Sequence, residues 1–511
     1  MTDPDSMASF ARQLKDTEAT AALGAELALM ARAGSVICLH GELGSGKTTL
    51  ARSFIQALAG EEIEVPSPTF TLVQTYDTTR VPVAHIDLYR LGAPDELGEL
   101  GLDELLLTHQ LIVEWPERLR ADFSADRLDI KLTTAGKGRN AELAGSGAWA
   151  LALKRLTAIA DFLKDTAWAK ARRVFLEGDA SFRRYERLVM GKKTAVLMDM
   201  AERPDGPIVK HGKPYSAIAH LAENIKAVLA VNTCLEEQGY SAPKIFAARA
   251  KTGLAVIEDL GSDVYGKKML RGDDMTEPLE EAVRLLADMA GKAWPQKVAI
   301  PDNGWHHILA YDRDAMTIEV ELVLDWFWPF AKASIPSDKD RAEFLAIWSD
   351  LFPLAEHDEP VWILRDYHSP NLMWLPERRG LKRVGIIDTQ DCVLGHPAFD
   401  VASLLQDARV DVDFALADRL LDKYCALREG KPGFDEAAFR SAYAFFGAQR
   451  ATKILGIFAR LAKRDGKRGY LRHMPRVSRY LERNLGHPRL GNLRQWYDRH
   501  LPQSLRESLP Q

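Results

Sequence analysis

Two widely separated groups of residues have the types and spacing needed to handle phosphate. The first is the run HGELGSGKTTL at residues 40–50, which contains the pattern G-x4-G-K-T. In such a loop, glycines let backbone N–H groups converge on phosphate oxygens, the lysine neutralises the β and γ oxygens, and the threonine hydroxyl ligates Mg²⁺. The predicted nucleotide contacts are Gly41, Glu42, Leu43, Gly44, Ser45, Gly46, Lys47, Thr48 and Thr49.

A metal-bound nucleotide also needs a carboxylate at the end of a neighbouring strand. Two candidates follow apolar runs: Asp87 in HIDLYR and Glu114 in IVEW. Each is either a metal-site acid or only a charge at the end of a strand. Between the loop and these runs lies SPTF, residues 67–70, where nucleotide-sensing switch segments usually sit, although the bare sequence indicates only a turn.

The second group has the spacing of a kinase catalytic loop. In LRDYHSPNLMWL, Asp366 and Asn371 are separated by four residues, and Asp388 follows an apolar run seventeen residues later. In kinases the first Asp accepts the proton of the substrate hydroxyl, while the Asn and the later Asp bind Mg²⁺. We therefore predict Asp366 as a catalytic base and Asn371 and Asp388 as metal ligands.

Two upstream segments complete a possible nucleotide site. LEGDASFRRY provides a tight turn in which Gly178 and Ser181 are predicted to cover the phosphates. VIEDLG, with Glu258 and Leu260, is typical of the hinge against which adenine packs. The competing interpretation is that all these pieces are unrelated loops in a helical protein.

The second group also departs from the protein-kinase pattern. Met198 in VLMDM stands where a strand lysine usually contacts the phosphates, so Arg183, Arg184 or backbone amides must hold them instead. Leu364 replaces the usual His before Arg-Asp, and no G-x-G-x-x-G is present. These departures disfavour a protein kinase and leave an inactive kinase-like domain as an alternative.

The elements that must position the first group are those of a parallel α/β domain. Residues 11–33 have a helical Ala/Leu pattern, 35–41 form a β-branched apolar strand, and 48–60 form a helix that ends at Gly60. Apolar runs at 81–89 and 110–115 indicate buried parallel strands, and the alternating run at 126–133 predicts an edge strand. Strand, loop and helix thus occur in the order that a phosphate-binding loop requires.

A different architecture is predicted beyond a Gly- and Ala-rich stretch at 135–150, where we place a domain junction near residue 150. Residues 175–200 indicate strand, turn, strand, turn and strand, and long helical patterns follow at 277–350 and 397–485. The predicted fold class is α/β throughout: a P-loop NTPase domain at 1–150 with a mostly parallel sheet, then a two-lobed protein-kinase-like domain at 151–511.

Composition agrees with a multidomain globular protein. At 511 residues, with 46% hydrophobic and 27% charged residues, the chain can build two to four domains. Apolar runs are far shorter than the ~20 residues of a membrane span, and no signal peptide is recognisable, so we expect a cytoplasmic protein. Four scattered cysteines are predicted to be buried, and their spacing indicates neither a zinc site nor a disulfide framework: Cys38, Cys234, Cys392 and Cys425.

Charge divides the chain in the same place. Residues 1–150 carry 13 Lys and Arg against 22 Asp and Glu, whereas the remainder carries 54 against 50. An acidic domain does not neutralise phosphates unaided, so any role of residues 1–150 with nucleic acid must be indirect.

The motifs GELGSGKTTL, VPSPTFTLVQTY, HIDLYRL and VEW, in this order, closely resemble the TsaE family of ATPases in tRNA threonylcarbamoyladenosine synthesis. The resemblance covers roughly residues 10–148. It implies that Lys47 and Thr48 hold ATP and Mg²⁺ and that Asp87 and Glu114 serve the metal or the attacking water. It also suggests nucleotide contacts by Thr17 and Arg139. The implied partners are TsaB- and TsaD-like proteins, which transfer threonylcarbamoyl to adenosine 37 of tRNA.

The motifs GDASFRRY, VLMDM, VIEDLG, RDYHSPNLM, IDTQD, GHPAFDVASLLQD and QRATKILGIFARL resemble the aminoglycoside phosphotransferase superfamily, and within it the AmgK branch. Those enzymes phosphorylate the anomeric hydroxyl of N-acetylmuramate and N-acetylglucosamine in cell-wall recycling. The resemblance, over about residues 155–490, implies ATP and Mg²⁺ as cofactors and a sugar 1-phosphate as product. Open alternatives are an aminoglycoside, choline or other small alcohol as substrate, or a regulatory binding module without phosphotransfer.

Three further features have plain structural interpretations. Asp400 in FDVASLL is expected to brace the catalytic loop or cap a helix. Trp326 and Trp328 in DWFWPF are expected to pack in the core rather than stack on a sugar. The basic stretch from Arg450 to Arg483 is expected to be a solvated helix face rather than a tRNA surface.

Overall fold

The computed structural model of the chain describes residues 7–91, 94–120, 122–176, 183–202, 206–222, 224–302 and 304–508. Its contacts divide the chain into two compact units. The first contains residues 1–181 and 185–194, and the second contains residues 182–184 and 195–511.

The first unit is built from nine strands and four α-helices among its described residues. The strands are β1 (Ala8–Leu14), β2 (Val36–His40), β3 (Val73–Tyr76), β4 (Val83–Asp87), β5 (Gln110–Glu114), β6 (Arg127–Ala135), β7 (Gly138–Gly145), β8 (Arg172–Leu176) and β9 (Arg184–Met190). The helices are α1 (Thr17–Ala28), α2 (Lys47–Ala59), α3 (Leu102–Thr108) and α4 (Ala148–Lys164).

Seven of these strands form one sheet in the order β1-β7-β6-β2-β5-β4-β3. The central pairs β6–β2, β2–β5 and β5–β4 are parallel, as predicted. Strands β4 and β5 are buried along their whole length, because helices or loops cover both faces of a parallel sheet. The carboxyl ends of β2, β4 and β5 therefore meet at one edge, where polar side chains can converge.

Helix α2 begins directly after the phosphate-binding loop and packs on the sheet. It buries Leu50, Phe54 and Leu58, which are spaced four residues apart and so lie on one face. The helix ends at Gly60, whose φ of 76° is left-handed, as the sequence predicted.

Two predictions for the first unit are wrong in detail. Residues 11–14 belong to strand β1 rather than to a helix, because their backbone pairs with β7; α1 starts only at Thr17, after the N-cap Asp16. The run at 126–133 is not an edge strand, because β6 lies between β2 and β7. The Gly- and Ala-rich stretch that follows forms a two-residue hairpin turn and then β7, and residue 150 lies within α4.

In the second unit, the described strands are β10 (Lys193–Asp199), β11 (Ile208–Lys210), β12 (Lys213–Pro214), β13 (Ile245–Arg249), β14 (Leu254–Glu258), β15 (Lys297–Ala299), β16 (Trp305–His307), β17 (Val361–Ile363), β18 (Leu372–Trp374), β19 (Val384–Ile386) and β20 (Val393–Gly395). The helices are α5 (Tyr215–Ile218), α6 (Lys226–Glu237), α7 (Tyr265–Arg271), α8 (Thr276–Met289), α9 (Arg313–Leu322), α10 (Trp328–Lys332), α11 (Asp338–Leu351), α12 (Ala398–Leu405), α13 (Phe414–Arg428), α14 (Glu436–Asp465), α15 (Met474–Leu485), α16 (Gly491–His500) and α17 (Gln503–Glu507).

This unit has the expected change from sheet to helix along the chain. Strands β13, β14 and β10 pair in antiparallel order, and helices dominate after β16. The long helix α14 packs against α9, α12 and α15 and forms the centre of the helical part. The helical pattern predicted at 277–350 is interrupted by the short β15–β16 hairpin and by a π-helical turn at Val323–Phe327.

The predictions for the burial of the cysteine and tryptophan side chains are mostly confirmed, whereas the prediction for the basic stretch fails in part. All four cysteines are free and buried. Trp328 is 4% exposed and packs near Trp496, whereas Trp326 is half-buried. The solvated-face prediction is wrong for Arg450, which is 9% exposed and donates from Nη1 to the carbonyl of Arg365 at 2.9 Å. No helix among the described residues is long and apolar enough to cross a membrane.

Candidate active sites

The phosphate-binding loop connects β2 to α2 and depends on backbone conformations that glycine permits. Gly41 has φ 140° and Gly46 has φ 105°. A Cβ atom at Gly41 would lie 2.5 Å from the Leu132 carbonyl oxygen, so the loop cannot accept a side chain there. Gly46 directly precedes the first residue of α2, and the N-terminal N–H groups of that helix face the loop.

Lys47 is held inside the loop. Its Nζ donates to the carbonyl oxygens of Gly41 at 2.7 Å and Glu42 at 3.0 Å, and lies 3.7 Å from the centre of the Trp115 ring. Burial lowers the pKa of Lys47, while the nearby carboxylates oppose the shift. The loop also contains a buried hydroxyl, Ser45 Oγ, that has no hydrogen-bond partner in the described part of the chain. Backbone donors, an ammonium and a spare hydroxyl are together suited to phosphate oxygens.

The two candidate carboxylates lie side by side at the end of the sheet. Asp87 ends β4, Glu114 ends β5, and the parallel register pairs them directly. Glu114 Oε2 accepts a hydrogen bond from Thr48 Oγ1 at 3.0 Å, and Glu114 Oε1 is 3.0 Å from Nε2 of the fully buried His85. The structure therefore brings Thr48, Asp87 and Glu114 together.

The SPTF segment contacts Asp87, one of these two acids. Thr69 Oγ1 donates to Asp87 Oδ2 at 2.6 Å, and Ser67 Oγ lies 3.5 Å from the same oxygen. Phe70 is 81% exposed beside Arg90, whose guanidinium carbon is 4.1 Å from the ring centre. The turn therefore bonds to one of the two candidate acids and presents an exposed aromatic ring.

The remaining predicted nucleotide contacts of the first site differ in their surroundings. Arg139 donates to the carbonyls of Ser45 at 2.8 Å and Gly44 at 3.1 Å, so it holds the loop backbone. Thr17 lies exposed in the first turn of α1, and it is Thr20 of that helix that approaches Gly46. Glu42 and Leu43 are exposed at the loop surface, and Thr49 is half-buried.

In the second unit, a hairpin brings Asn371 and Asp388 together beside the catalytic-loop Asp366. Asn371 precedes β18 and Asp388 follows β19, and these strands pair in antiparallel register. Asn371 Nδ2 donates to the Asp366 carbonyl at 3.1 Å and lies 3.4 Å from Asp388 Oδ2. Arg365 and Asp388 both have φ of 64°, a left-handed conformation that is costly for residues with side chains and clusters at functional sites.

Burial and the surrounding charges shift the pKa values of the two acids in this cluster, Asp366 and Asp388. Partial burial raises the pKa of Asp366, but His368 and the cations Lys453, Arg450 and Arg365 bring it below its ordinary value. Burial raises the pKa of Asp388, against the effect of its partner Arg183. Asp366 is therefore kept ionised and 42% exposed, which suits a base that meets a hydroxyl group.

Arg365 holds the predicted catalytic loop in place through buried contacts. It pairs with the fully buried Glu319 and donates to the Ala219 carbonyl at 2.7 Å. Asp400, 2% exposed, accepts hydrogen bonds from the backbone N–H groups of Leu364 at 2.6 Å and Arg365 at 2.9 Å. The expectation that Asp400 braces the catalytic loop is confirmed by these contacts.

The other predicted nucleotide contacts of the second unit are more dispersed. Glu258 ends β14 and pairs with Arg378 at 2.6 Å, while Leu260, 8% exposed, lies against Gly385 of β19. Met198 is 2% exposed on β10. The predictions for Gly178 and Ser181 lie outside the described residues.

Sequence reasoning missed several residues that complete these sites. His85 precedes Asp87 by two positions, and side chains two positions apart in a strand lie on the same face of the sheet. This spacing was a signal by which His85 could have been predicted beside the candidate acids. Glu319 is a charged residue in the apolar run TIEVELVL, which only weakly indicates that it is buried with a partner from elsewhere in the chain. The pairs Arg183–Asp388 and Asn232–Thr389 join distant segments and had no local signal.

Both sites have the donor chemistry that Mg²⁺ and ATP require. Among the described residues, no group of three or more His, Cys, Asp or Glu side chains is arranged to hold a metal alone. Mg²⁺ is usually bound by one or two carboxylates, with phosphate oxygens and water completing its shell. Asn371 and Asp388 in one site, and Thr48 with Asp87 and Glu114 in the other, fit that role.

Comparison with known proteins gives one family for each part of the chain. The sequence model of the family described as "Threonylcarbamoyl adenosine biosynthesis protein TsaE" matches residues 14–141. The sequence model of the family described as "Phosphotransferase enzyme family" matches residues 173–440. The chain is 38% identical over 361 residues to an N-acetylmuramate/N-acetylglucosamine kinase of Caulobacter vibrioides, which covers 69% of this chain and 98% of that protein.

For the N-terminal part, the chain is 36% identical over 119 residues to a tRNA threonylcarbamoyladenosine biosynthesis protein TsaE of Rickettsia felis, covering 23% of this chain and 70% of that protein. Among solved structures, the choline kinase LicA of Streptococcus pneumoniae aligns with 65% of this chain and 100% of its own at a TM-score of 0.43 and 12% identity. The chain is a fusion that belongs to the TsaE family through its N-terminal part and to the phosphotransferase enzyme family through its C-terminal part.

Proposed function

We propose that the C-terminal part is an ATP-dependent kinase that phosphorylates the anomeric hydroxyl of N-acetylmuramate and N-acetylglucosamine. Asp366 accepts the proton of the sugar hydroxyl, and the oxygen then attacks the γ-phosphorus of ATP to give a sugar 1-phosphate and ADP. Asn371 and Asp388 would hold Mg²⁺, which neutralises charge on the phosphates when bound. The proposed adenine contacts are Glu258 and Leu260, and the phosphate contacts include Gly178 and Ser181.

One observation carries this proposal. Asp366, Asn371 and Asp388 lie together: Asn371 Nδ2 is 3.1 Å from the main-chain carbonyl oxygen of Asp366 and 3.4 Å from Asp388 Oδ2. They do so in a chain that aligns with 98% of a named amino-sugar kinase. An inactive regulatory module would have no need to keep a half-exposed, ionised base in such a cluster.

For the N-terminal part, we propose an ATPase that supports threonylcarbamoyl transfer to adenosine 37 of tRNA. Its loop residues 41–49 bind ATP, with Lys47 on the phosphates and Thr48, Asp87 and Glu114 serving Mg²⁺ or the attacking water. Arg139 and Thr17 are proposed as further nucleotide contacts. TsaB- and TsaD-like proteins are the proposed partners, and the acidic charge of residues 1–150 supports contact with tRNA only through them.

The two proposed activities divide the chain between the matched segments, at residues 142–172, which include the predicted junction near residue 150. We infer a cytoplasmic protein because ATP, tRNA and recycled amino sugars are all encountered in the cytoplasm.

An aminoglycoside is the less suitable alternative substrate. Aminoglycosides are polycations and need an acidic site, whereas Lys453 and Arg450 lie near enough to Asp366 to lower its pKa.

Two variants separate the activities in the full chain. Lys47→Ala is expected to abolish sugar-independent ATP hydrolysis and threonylcarbamoyl transfer with partner proteins, while N-acetylmuramate 1-phosphate still forms. Asp366→Asn is expected to reduce formation of the sugar phosphate about 10²–10⁴-fold, the usual effect of losing a general base, and to leave hydrolysis intact. ³¹P NMR of the products checks both. Sugar phosphorylation that survives Asp366→Asn would contradict the kinase assignment.

A further inference from the structure

Strand β10 has no cation at the position where kinase-like folds carry the lysine that contacts the nucleotide phosphates. In such folds a strand lysine contacts the α and β phosphates. Here the matching side chain is Met198, which is 2% exposed and paired in register with Ala255 of β14. Lys193, at the start of β10, is exposed. If the second unit transfers phosphate, the cation must come from another segment.

Arg183 reaches the metal-site segment directly. Its Nη1 pairs with Asp388 Oδ1 and donates to Gln390 Oε1 at 2.6 Å, and its side chain is 12% exposed. Asn232 of α6 holds the intervening residue, since Thr389 Oγ1 donates to Asn232 Oδ1 at 2.6 Å. The Asp388–Gln390 segment is therefore held on both sides, and Arg183 is the cation at its acidic end.

The pairing creates a competition for Asp388. A carboxylate that ligates Mg²⁺ shares its charge between the metal and the guanidinium, so metal binding weakens the ion pair of the largely buried Arg183. A phosphate offers that guanidinium a replacement partner, because its planar fork matches phosphate oxygens in a bidentate arrangement. A bound nucleotide would thus supply the anion that Arg183 loses when Asp388 turns to the metal.

We propose that Arg183 is the phosphate-binding cation of the kinase site, in place of the missing strand lysine, and that it exchanges Asp388 for nucleotide phosphate oxygens. This inference rests on the proposed kinase function. It differs from a fixed strand lysine because the same side chain occupies the metal-site carboxylate before the nucleotide arrives.

Calorimetric binding of ADP with Mg²⁺ tests the proposal on the full chain. All proteins carry Lys47→Ala, which removes binding to the phosphate-binding loop of the first unit. Arg183→Gln is expected to raise the Kd of MgADP about 10- to 100-fold, the effect of losing a charged hydrogen bond. Arg183→Lys, which retains the charge and a partner for Asp388, is expected to fall between Arg183→Gln and the parent. Lys193→Gln, which removes an exposed charge at the start of β10, should stay within about twofold.

The outcomes separate the possible roles. If MgADP binds with unchanged Kd to both Arg183 variants while their thermal stability falls, Arg183 is only a structural tether and the proposal is wrong. A comparable rise of the Kd in Lys193→Gln would show a general effect of removing positive charge and would also overturn it. A Lys47→Ala parent that binds no MgADP would refute the proposed kinase function itself, and this inference with it.

Discussion

Asp400 is the buried acid through which pH should act most directly on the kinase-like unit. Burial raises its pKa to about 7, although two backbone N–H donors and Arg450 oppose the shift. The carboxyl pKa of an unfolded chain is about 3.9, so between pH 4 and 7 the folded protein holds a proton that the unfolded chain releases. The contribution of Asp400 to stability is therefore complete below about pH 4 and declines as pH rises to about 7.

We predict that Asp400→Asn removes this dependence. The wild-type chain should lose its stability advantage over the variant progressively between pH 4 and pH 7, because only the wild-type residue must ionise in the folded state. Urea unfolding of both proteins across that range, followed by tryptophan fluorescence, measures the difference. A difference that stays constant with pH would show that Asp400 does not titrate in this window.

His85 is expected to act as a positioning residue for the proposed ATPase. It is 0% exposed, and its Nε2–H donates to Glu114 Oε1, while Thr48 bonds to the other oxygen of Glu114. Residues that orient a metal-site ligand typically contribute 10- to 100-fold to affinity or activity. His85→Gln should reduce ATP hydrolysis in an Asp366→Asn background by about that factor.

The matched control for this change is His109→Gln. His109 also pairs with a carboxylate, Asp77 at 2.9 Å, but Asp77 is 68% exposed and lies outside the loop and acids described above. Its replacement should leave hydrolysis within about twofold of the parent. Equal losses in the two variants, measured as steady-state phosphate release, would exclude a specific role for His85.

At the residue scale, local patterns predict candidate reactive residues that the structure brings together, but not the residues that contact and support them. Lys47, Thr48 and the pair Asp366 and Asn371 have fixed spacing along the chain, because one loop must present both members of each set. Glu319 and Arg183 act on partners 46 and 205 or more positions away. Such contacts depend on how the elements pack, which a single sequence does not encode in any short pattern.

Helices α9 and α14 meet at a buried polar network that supports the catalytic loop. Glu319 of α9 pairs with Arg365 and accepts a bond from Lys453 Nζ of α14 at 2.6 Å. Its second oxygen accepts from Gln449 at 2.9 Å and from Tyr311. Although burial raises its pKa, Lys453 and Arg365 lower the pKa of Glu319 to about 2, so it is ionised in the fold.

We predict that Glu319→Gln destabilises the kinase-like unit by about 3–5 kcal/mol, because it leaves two enclosed cations without a counter-charge. The double change Glu319→Gln with Lys453→Gln should recover part of that loss by removing one cation. Chemical unfolding of the single and double variants gives the coupling energy. Strict additivity of the two changes would contradict a shared network.

At the element scale, prediction succeeded where the hydrophobic period was strong and failed where strand pairing decided the structure. Helix α2 and the buried strands β2, β4 and β5 were predictable from their apolar runs and glycine signals. The sequence pattern predicts a helix for residues 11–14 of β1, yet their backbone pairs with β7, which is distant in sequence. The position of β6 inside the sheet likewise depends on β7 being a strand.

At the scale of the whole molecule, the stability of an N-terminal fragment depends on whether the fragment includes all of helix α4. Helix α4 packs on β1, β6 and β7, and Trp149 Nε1 donates to Ser35 Oγ at 3.2 Å. A fragment cut at residue 150 would lose the apolar face of α4 beyond Ala150. That face consists of Leu153, Leu156, Ile159, Phe162 and Leu163, all at most 5% exposed.

Burial of one such side chain contributes roughly 1.5–3 kcal/mol, and whole domains have only about 5–15 kcal/mol of stability. We therefore predict that residues 1–171 form a cooperative folded unit and that residues 1–150 alone do not, even though the matched family segment ends at residue 141. Circular-dichroism melting of the two fragments checks this, with a 1–171 fragment carrying Leu153→Asp and Ile159→Asp as a control that should resemble the shorter one. If the 1–150 fragment melted at the same temperature as the longer fragment, α4 would be a linker to the kinase-like part and not part of the ATPase core.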